Sequence, residues 1–385
     1  MKNFVFNTTP SIHLQTGGAA HIADIAGHLL GGRVLVVTDK GLRKLGLLDP
    51  AIKSLETAGV AVSIFDAVQA DPPESNVLAL KDQIIAHKAT GVLAIGGGSS
   101  MDAAKLAALI ARSGEKLVDI YGVNLARGPR LPLVLVPTTA GTGSEVTPIS
   151  IITTGLSQKM GVVSPLLLPD MAVLDADLTV GLPATVTAAT GIDAMVHAIE
   201  AYASASANNN PISRSLARNA LQLLGANIRI AVFEGDNRDA RAAMLLGSLL
   251  AGQAFANSPV AAVHALAYPI GGHFHVPHGL SNALVLTHVL RFNLPEASHV
   301  YAEIAADVFP ELGAVSAEKR AEAFVEKLAD LSRELGVPQT LREVNITEDD
   351  LSLLARDAMK QTRLLVNNPR KVTEADALAI YKAAY

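Results

Sequence analysis

The 385-residue sequence contains no cysteine. Disulfide bonds and thiolate metal sites are therefore excluded. The absence of thiols fits a cytoplasmic protein, and the first ten residues lack the apolar core of a signal peptide. We accordingly expect a cytoplasmic location.

The sequence also lacks a strong excess of positive charge. It has 31 lysines and arginines and 36 acidic residues, which give a net charge of −5, and it contains no basic run. A basic patch is what nucleic acid or an anionic membrane would require. The most apolar late run, residues 242–256, is interrupted by polar residues and is too short to span a bilayer. We expect neither a nucleic acid nor a membrane as partner.

Half of the residues are hydrophobic, which is ample for two domains at this length. In residues 1–182 short apolar runs alternate with helical stretches, which predicts an α/β domain with a parallel sheet covered on both faces. The predicted strands are 33–38, 60–65, 91–95, 131–136, 149–153 and 172–174, with helices at 49–58 and 73–88.

Residues 183–385 have a different periodicity, because almost nothing there alternates with period two. Apolar positions instead recur at helical spacing, which predicts an all-helical domain beginning near Pro183. The predicted helices are 184–203, 212–232, 238–256, 259–267, 280–293, 296–309, 317–334, 348–360 and 374–384.

Asp193 and His197 lie four residues apart in a helical run, so both can contact the same object from one helix face. A carboxylate and an imidazole suit a divalent metal such as Fe(II) or Zn(II). Four of the eleven histidines fall in the window 263–279. A surface salt link or a packed histidine would explain either feature alone, but together they favour a metal site.

Two glycine-rich stretches, 95–105 and 137–148, each follow a predicted strand. Glycine lets a backbone approach a phosphate, which free N–H groups and a helix dipole then bind. Neither stretch carries the Rossmann or the P-loop motif, and each alone can be read as an ordinary turn or loop. Two such loops at one sheet edge favour a nucleotide crevice. Asp39 directly follows another predicted strand, 33–38, at a place where an acid can bond ribose hydroxyls and repel a 2′-phosphate, which favours NAD over NADP.

Together these motifs resemble the iron-containing (group III) alcohol dehydrogenases over essentially the whole chain. The matching motifs are Gly-Gly-Gly-Ser at 96–99 with Asp102 and Lys105, Pro-Thr-Thr-Ala-Gly-Thr-Gly-Ser-Glu at 137–145, Asp193 with His197, His264, and Pro-His-Gly at 277–279. The resemblance implies the family's fold, an α/β dinucleotide-binding domain followed by a helical metal-binding domain with the active site in the cleft between them.

The resemblance also implies site residues, position by position. One divalent metal, iron or sometimes zinc, would be bound by Asp193, His197, His264 and His278. The pyrophosphate of NAD would be bound by Gly96, Gly97, Gly98 and Ser99, in the motif that includes Asp102. The adenosine end would be bound by Asp39 and Asp71. The nicotinamide half would be surrounded by Thr138, Thr139, Thr142, Ser144, Val146, Thr147, Ile149, Lys159, Leu178 and Gly181.

The implied reaction is NAD-linked oxidation of an alcohol or reduction of an aldehyde. An alcohol oxygen bound to the metal has a lowered pKa, so an alkoxide forms and passes hydride to nicotinamide C4.

Many relatives carry a second histidine four residues after the third ligand, where this chain has Tyr268. Tyr268 is either a proton relay or a packing residue, and His273 and His275 are possible replacements for the missing histidine.

Three other functions stay open from the sequence. A glycerol-dehydrogenase-like or dehydroquinate-synthase-like enzyme would share the fold, but the latter needs a basic pocket that the histidine region lacks. A metal-dependent hydrolase would leave Asp39 and both glycine-rich loops unexplained.

Phe255 and Ile149 indicate a partly apolar pocket for a small primary alcohol or aldehyde. We expect a homodimer or a higher homo-oligomer from the resemblance alone.

Overall fold

The computed structural model describes residues 3–155 and 158–385, and they fall into two compact units. One unit is Asn7–Gly181, and the other is Leu182–Tyr385 with the amino-terminal residues up to Phe6. The backbone of Val5 exchanges two hydrogen bonds of 2.9 Å with the Asn208 side chain. The sequence had assigned these first residues to the α/β part, whereas their partner lies in the helical unit.

The α/β unit is built on a six-stranded sheet in the order β1-β9-β6-β4-β2-β3, and every recorded pairing in it is parallel. A second, three-stranded sheet has the order β5-β8-β7. The strands are β1 Ser11–Leu14, β2 Arg33–Val37, β3 Ala61–Phe65, β4 Gly91–Gly96, β5 Gly122–Val123, β6 Leu133–Pro137, β7 Ile149–Thr154, β8 Gln158–Val163 and β9 Met171–Leu174.

Helices cover both faces of the six-stranded sheet. Alternate residues of its central strands enter two separate cores, as Leu35 and Val92 do on one face and Val34 and Leu93 on the other. This explains strands that are apolar throughout. The helices of this unit are α1 Ile22–Leu30, α2 Lys40–Lys44, α3 Asp49–Thr57, α4 Glu74–His87, α5 Gly98–Ser113 and α6 Leu117–Ile120.

The second sheet departs from the sequence prediction. The strand expected at 149–153 does not join the parallel sheet but pairs antiparallel with β8. Its side chains alternate between buried and half-buried, the pattern of a strand with one covered face. Strands β1, β5 and β8 were not predicted, because short or polar runs give little periodic signal.

The second unit is helical throughout its described residues, as the sequence predicts. Helix α7 packs against α8, α9 and α11. The helices are α7 Ala184–Ala203, α8 Pro211–Phe233, α9 Arg238–Asn257, α10 Ala262–Phe274, α11 His278–Val308, α12 Ala317–Glu334, α13 Leu351–Ala358, α14 Thr362–Leu365 and α15 Glu374–Ala384.

Two helices of this unit run through prolines that the prediction treated as ends. The helices expected at 280–293 and 296–309 are the single helix α11, which continues past Pro295, and α10 continues past Pro269. Buried residues on both sides of each proline keep the helix in place despite the missing N–H. Within the described residues, no helix combines the length and apolarity needed to cross a membrane.

Candidate functional site

Helix α7 carries the first two predicted metal ligands in its buried middle. Asp193 and His197 are 1% and 4% exposed, and their four-residue spacing places them on one face of the helix. The ring of His197 stacks on Phe255 of α9 at 4.3 Å between centroids. This packing fixes the plane of the imidazole.

The other two predicted ligands come from α10 and from the first residue of α11. His264 is buried, and its Nε2 lies 3.0 Å from Nε2 of His197. His278 is exposed, and its Nε2 lies 3.7 Å from Oδ1 of Asp193. Ligand atoms of all four side chains lie within 4.8 Å of one another. The structure therefore brings together the two clusters that are some seventy residues apart in sequence.

Gly279 allows α11 to begin so close to α7. A Cβ at this position would lie 2.6 Å from the carbonyl oxygen of Ala189 and 3.2 Å from Cβ of Asp193. Real Cβ atoms do not approach a backbone oxygen that closely, so only glycine fits without a shift of one helix. Because His278 immediately precedes Gly279, this contact sets the distance between His278 and Asp193.

Glu200 determines which nitrogen of His264 is available. Its Oε2 accepts a hydrogen bond from Nδ1 of His264 at 2.7 Å, and its Oε1 accepts one from the backbone N–H of Val263 at 2.6 Å. A carboxylate can only accept, so Nδ1 carries the proton, and in the neutral ring Nε2 then keeps its lone pair. This carboxylate–histidine pairing is the usual support of a metal-binding imidazole.

Asp193 is held in its charged form. Burial alone would raise its pKa, but the neighbouring His197, His278 and His264 and a hydrogen bond from Asn282 together keep the pKa below its ordinary value. The donor set is thus one carboxylate and three imidazoles. Such a set suits a single divalent transition metal.

The predicted nucleotide loops begin side by side in the other unit. Gly96 at the end of β4 pairs with Pro137 at the end of β6, so the two loops leave the same edge of the sheet. A Cβ on Gly98 would lie 3.0 Å from the Thr142 side chain. The first loop leads into α5, whose N-terminus presents free N–H groups at this edge.

Lys105 ties the second loop to α5. Its ammonium is completely buried and donates hydrogen bonds to Ser144 Oγ and the Ile149 carbonyl, both at 2.8 Å, and to Thr147 Oγ1 at 3.2 Å. Burial lowers the pKa of Lys105, whereas the nearby Asp102 opposes that effect.

Asp102 completes this network from one turn earlier on α5. It accepts hydrogen bonds from Ser144 Oγ at 2.6 Å and from the backbone N–H of Ile151 at 2.9 Å. The side chains of Asp102 and Ser144 therefore bond to each other, while the Thr147 side chain bonds to Lys105 and to the Ser144 carbonyl. They support the proposed cofactor site by shaping it.

The remaining predicted cofactor residues are placed as follows. Asp39 caps α2 by accepting from the Leu42 N–H at 3.0 Å, and Asp71 forms a salt bridge with Lys159. Val146 and Leu178 are buried, Leu178 in the core beneath the sheet, while Gly181 is exposed. Ser99 lies in the first turn of α5, and Thr138 and Thr139 follow β6.

The two tentative catalytic residues lie in different surroundings. The half-buried ring of Tyr268 is 5.9 Å from that of His278, beside the metal cluster. His273 instead bonds to Asp357 of α13 at 2.7 Å and is not one of the four clustered residues. A proton role for either residue stays a prediction, and the contacts favour Tyr268 over His273.

Family models match nearly the whole chain. The model described as iron-containing alcohol dehydrogenase matches residues 9–176, and that of the Fe-containing alcohol dehydrogenase family, C-terminal, matches residues 187–385. The chain belongs to the iron-containing alcohol dehydrogenase family. This confirms the family and the fold expected from the sequence motifs.

Individual members of the family are similar along their full length. The long-chain-alcohol dehydrogenase 1 of Geobacillus thermodenitrificans is 39% identical, over 98% of this chain and 95% of its own. A crystal structure of a 1,3-propanediol oxidoreductase superposes with a TM-score of 0.96 at 35% identity, covering all of both chains. The sulfoacetaldehyde reductase of Bifidobacterium kashiwanohense, solved in complex with NAD+, gives 0.88 at 30% identity, covering 100% of this chain and 99% of its own.

Two residues that support the predicted metal ligands were not predicted from the sequence. Glu200 lies three residues after His197, and Asn282 four residues after His278, each on the ligand's own helix face. The same helical spacing that pointed to Asp193 and His197 could have found them. The sequence marks Lys105 only as part of a motif and gives no sign that its side chain is buried.

Proposed function

We propose that the protein is an NAD-dependent dehydrogenase that oxidises primary alcohols and reduces the corresponding aldehydes. The observation that carries the proposal is the convergence of Asp193, His197, His264 and His278, from three helices, in a member of the iron-containing alcohol dehydrogenase family. We propose these four residues as the metal ligands. The same family match gives the hydrolase alternative no support.

The residues around the ligands have distinct tasks. Glu200 keeps Nε2 of His264 unprotonated, and Asp193 supplies the negative charge. Phe255 covers one face of His197 and keeps water from it, while the exposed His278 leaves one side accessible to a substrate oxygen. When bound, a divalent cation supplies Lewis-acid chemistry, which lowers the pKa of an alcohol oxygen and polarises an aldehyde carbonyl.

We propose Fe(II) as the usual metal, with Zn(II) as an alternative that the same donor set accepts. The family name supports iron. The donor atoms do not discriminate, because one carboxylate and three imidazoles suit both ions.

We propose that NAD binds at the sheet edge formed by the loops after β4 and β6. The N–H groups at the start of α5 suit the pyrophosphate, and Asp39 suits the adenosine ribose. A negative charge at Asp39 would repel a 2′-phosphate, which favours NAD over NADP. The NAD+ complex of the similar sulfoacetaldehyde reductase supports this choice.

The substrate class is proposed from the relatives. Their names specify a long-chain alcohol, 1,3-propanediol and sulfoacetaldehyde, and the last two carry a terminal alcohol or aldehyde group. Phe255 beside the metal ligands adds an apolar surface for a substrate chain. A homodimer and a cytoplasmic location remain our predictions from the family resemblance and the lack of cysteine.

Anaerobic purification followed by metal analysis and an alcohol panel tests the proposal. We expect about one iron or zinc per chain and NADH formation from primary alcohols with NAD+, and much less with NADP+. A preparation that carries the metal, binds no NADH and hydrolyses esters or phosphates would overturn it.

A further inference from the structure

Helix α10 presents His264 from a turn that its own sequence weakens. Pro269 lies in the middle of this helix, and Gly271 and Gly272 follow it. Proline has no N–H, so the carbonyl of Ala265, four residues earlier, loses its helical donor, and the proline ring presses against that carbonyl. The two glycines add backbone freedom, which lowers helix stability further. Contacts from outside the helix must therefore hold this turn in place.

Tyr381 of α15 supplies one such contact. Its hydroxyl donates a hydrogen bond to the carbonyl oxygen of Leu266 at 2.6 Å, one residue beyond the carbonyl that Pro269 leaves without a donor. Both Tyr381 and Leu266 are completely buried, so water does not compete for this bond. Burial raises the pKa of Tyr381 well above its ordinary value, and the nearby charge of Asp357 adds to this effect. The phenol therefore keeps the proton that it donates.

A second contact with the C-terminal helices lies on the other side of Pro269. Nε2 of His273, in the last turn of α10, bonds to Oδ2 of Asp357 on α13 at 2.7 Å. Helix α10 packs against α13 and α14, and α13 packs against α15. Bonds to one group of helices thus flank the proline, at Leu266 before it and at His273 after it.

We propose that Tyr381 is a positioning residue whose hydroxyl braces α10 where Pro269 weakens it, and thereby holds His264 in place. The inference rests on the proposed role of His264 as a metal ligand. Leu266 lies two residues after His264 within one helical turn, so a shift of its carbonyl moves the imidazole as well. Metal affinity therefore depends on a hydroxyl that belongs to none of the four proposed ligands.

Variants of the full-length protein that change single groups test this role. Tyr381→Phe removes the hydroxyl and keeps the ring. Tyr202→Phe is the matched control, because Tyr202 is another buried tyrosine of the helical unit, and its hydroxyl donates to Glu303 instead. Pro269→Ala restores the missing N–H and is made both alone and together with Tyr381→Phe.

Two properties of the helix and its ligand are measured. Hydrogen exchange over residues 262–274 is followed after metal removal, so that metal occupancy does not differ between variants. Metal affinity is measured by competition with a chromophoric chelator. We expect residues 262–274 of Tyr381→Phe to exchange roughly tenfold faster, and its metal to bind roughly tenfold more weakly, the weight of one buried hydrogen bond. Tyr202→Phe should leave both quantities at their wild-type values.

Two further readouts separate positioning from a general loss of stability. With metal at saturation, Tyr381→Phe should lower kcat for a primary alcohol and leave the KM for NAD+ and the affinity for NADH unchanged. In the Pro269→Ala background, the loss caused by Tyr381→Phe should shrink to about twofold, because the helix then holds the turn with its own hydrogen bond.

Unchanged exchange and metal affinity in Tyr381→Phe would overturn the inference. An equal loss in Tyr202→Phe, or an equal effect of Tyr381→Phe with proline and with alanine at position 269, would overturn it too. A wild-type protein that binds no metal would instead overturn the four-ligand site, and this inference with it.

Discussion

Glu200 contributes no proposed ligand atom, yet it fixes the tautomer of His264. A glutamine at this position can still accept through its amide oxygen, but it removes the negative charge that makes the imidazole a stronger donor. We expect Glu200→Gln to weaken metal binding on the order of ten- to a hundredfold while leaving the fold intact. Competition with a chromophoric chelator measures the dissociation constant.

Glu303→Gln is the control for Glu200→Gln. Glu303 also accepts a side-chain hydrogen bond, from Tyr202, but on the outside of the same unit. Its substitution should leave metal affinity unchanged. Equal metal affinity in Glu200→Gln and Glu303→Gln would refute the support assigned to Glu200.

Glu145 gives the α/β unit a pH-dependent stability. Burial raises the pKa of this carboxyl from 4.5 to about 7, against the attraction of Lys105. Below pH 4.5 the group is neutral in both the folded and the unfolded chain, so its full stabilisation is present. Between 4.5 and about 7 only the unfolded chain ionises, and stability is lost as pH rises.

Replacing Glu145 by glutamine removes this titration. We expect the free energy of unfolding of wild type, minus that of Glu145→Gln, to fall by on the order of 3 kcal/mol from pH 4.5 to pH 7. Denaturant unfolding at a series of pH values measures this difference. The same difference at pH 5 and pH 8 would contradict a raised pKa.

For single residues, the sequence predicts a functional role only where a periodic pattern shows which side chains are neighbours. Asp193 and His197 could be found because helical spacing alone makes them neighbours. The same spacing places Glu200 and Asn282 beside predicted ligands, but their hydrogen-bond partners could not be predicted, since these depend on which helices approach α7. Glu145 shows no sequence signal of its burial, because the loop after β6 reads as polar.

At the scale of elements, the start of α11 is positioned by a glycine contact. Gly279→Ala would place a methyl group 2.6 Å from the carbonyl oxygen of Ala189, so α11 must move away from α7 and take His278 with it. We expect metal affinity and alcohol turnover to fall at least tenfold, with stability lowered by about 1–3 kcal/mol. Metal titration and thermal unfolding measure the two effects.

Gly27→Ala is the control for this substitution. Gly27 lies within α1, and nothing lies within 4 Å of where its Cβ would be. This alanine should stabilise the protein by about 0.5–1 kcal/mol and leave metal binding as it was. The account of the helix contact would be untenable if both alanine variants bound metal normally.

The buried Lys105 network holds the loop after β6 in shape. Methionine has a similar length but cannot donate to Ser144, Thr147 or Ile149, so Lys105→Met should loosen the loop. We expect NADH to bind roughly tenfold more weakly, the equivalent of about 1.4 kcal/mol, with metal content unchanged. NADH fluorescence and metal analysis measure the two quantities.

Lys81→Met separates a loop effect from a general loss of positive charge. Lys81 pairs with Asp82 on α4 and takes no part in the loop network. The Lys81→Met variant should bind NADH with the affinity of the wild-type protein. If Lys105→Met bound NADH as tightly as Lys81→Met, the network would have no role in cofactor binding.

Elements were predicted well where burial is uniform and poorly where it is not. Parallel strands such as β4 and long amphipathic helices such as α12 produce a strong periodic signal. Strand β8 and the antiparallel position of β7 depend on pairing between distant residues, which no local pattern specifies. The prolines in α10 and α11 read as helix ends in the sequence, because the packing that holds each helix together around them depends on distant residues.

At the scale of the whole molecule, the proposed cofactor residues and the proposed metal ligands lie in different units. The change of period near Pro183 predicted the α/β and the helical parts, and the family matches follow the same division. The residues up to Phe6 were predicted to belong to the α/β part but group with the helical unit, since a short extended segment carries no sign of the unit it packs on. The physiological alcohol depends on side chains that surround the substrate and is not encoded in any motif.

The most direct test measures NADH binding and alcohol oxidation on the same protein before and after metal removal. We predict that a chelator abolishes oxidation of a primary alcohol, while NADH fluorescence titrations still show binding. Added Fe(II) should restore turnover in the wild-type protein but not in the His264→Ala variant. Undiminished NADH production by protein free of metal would contradict the account.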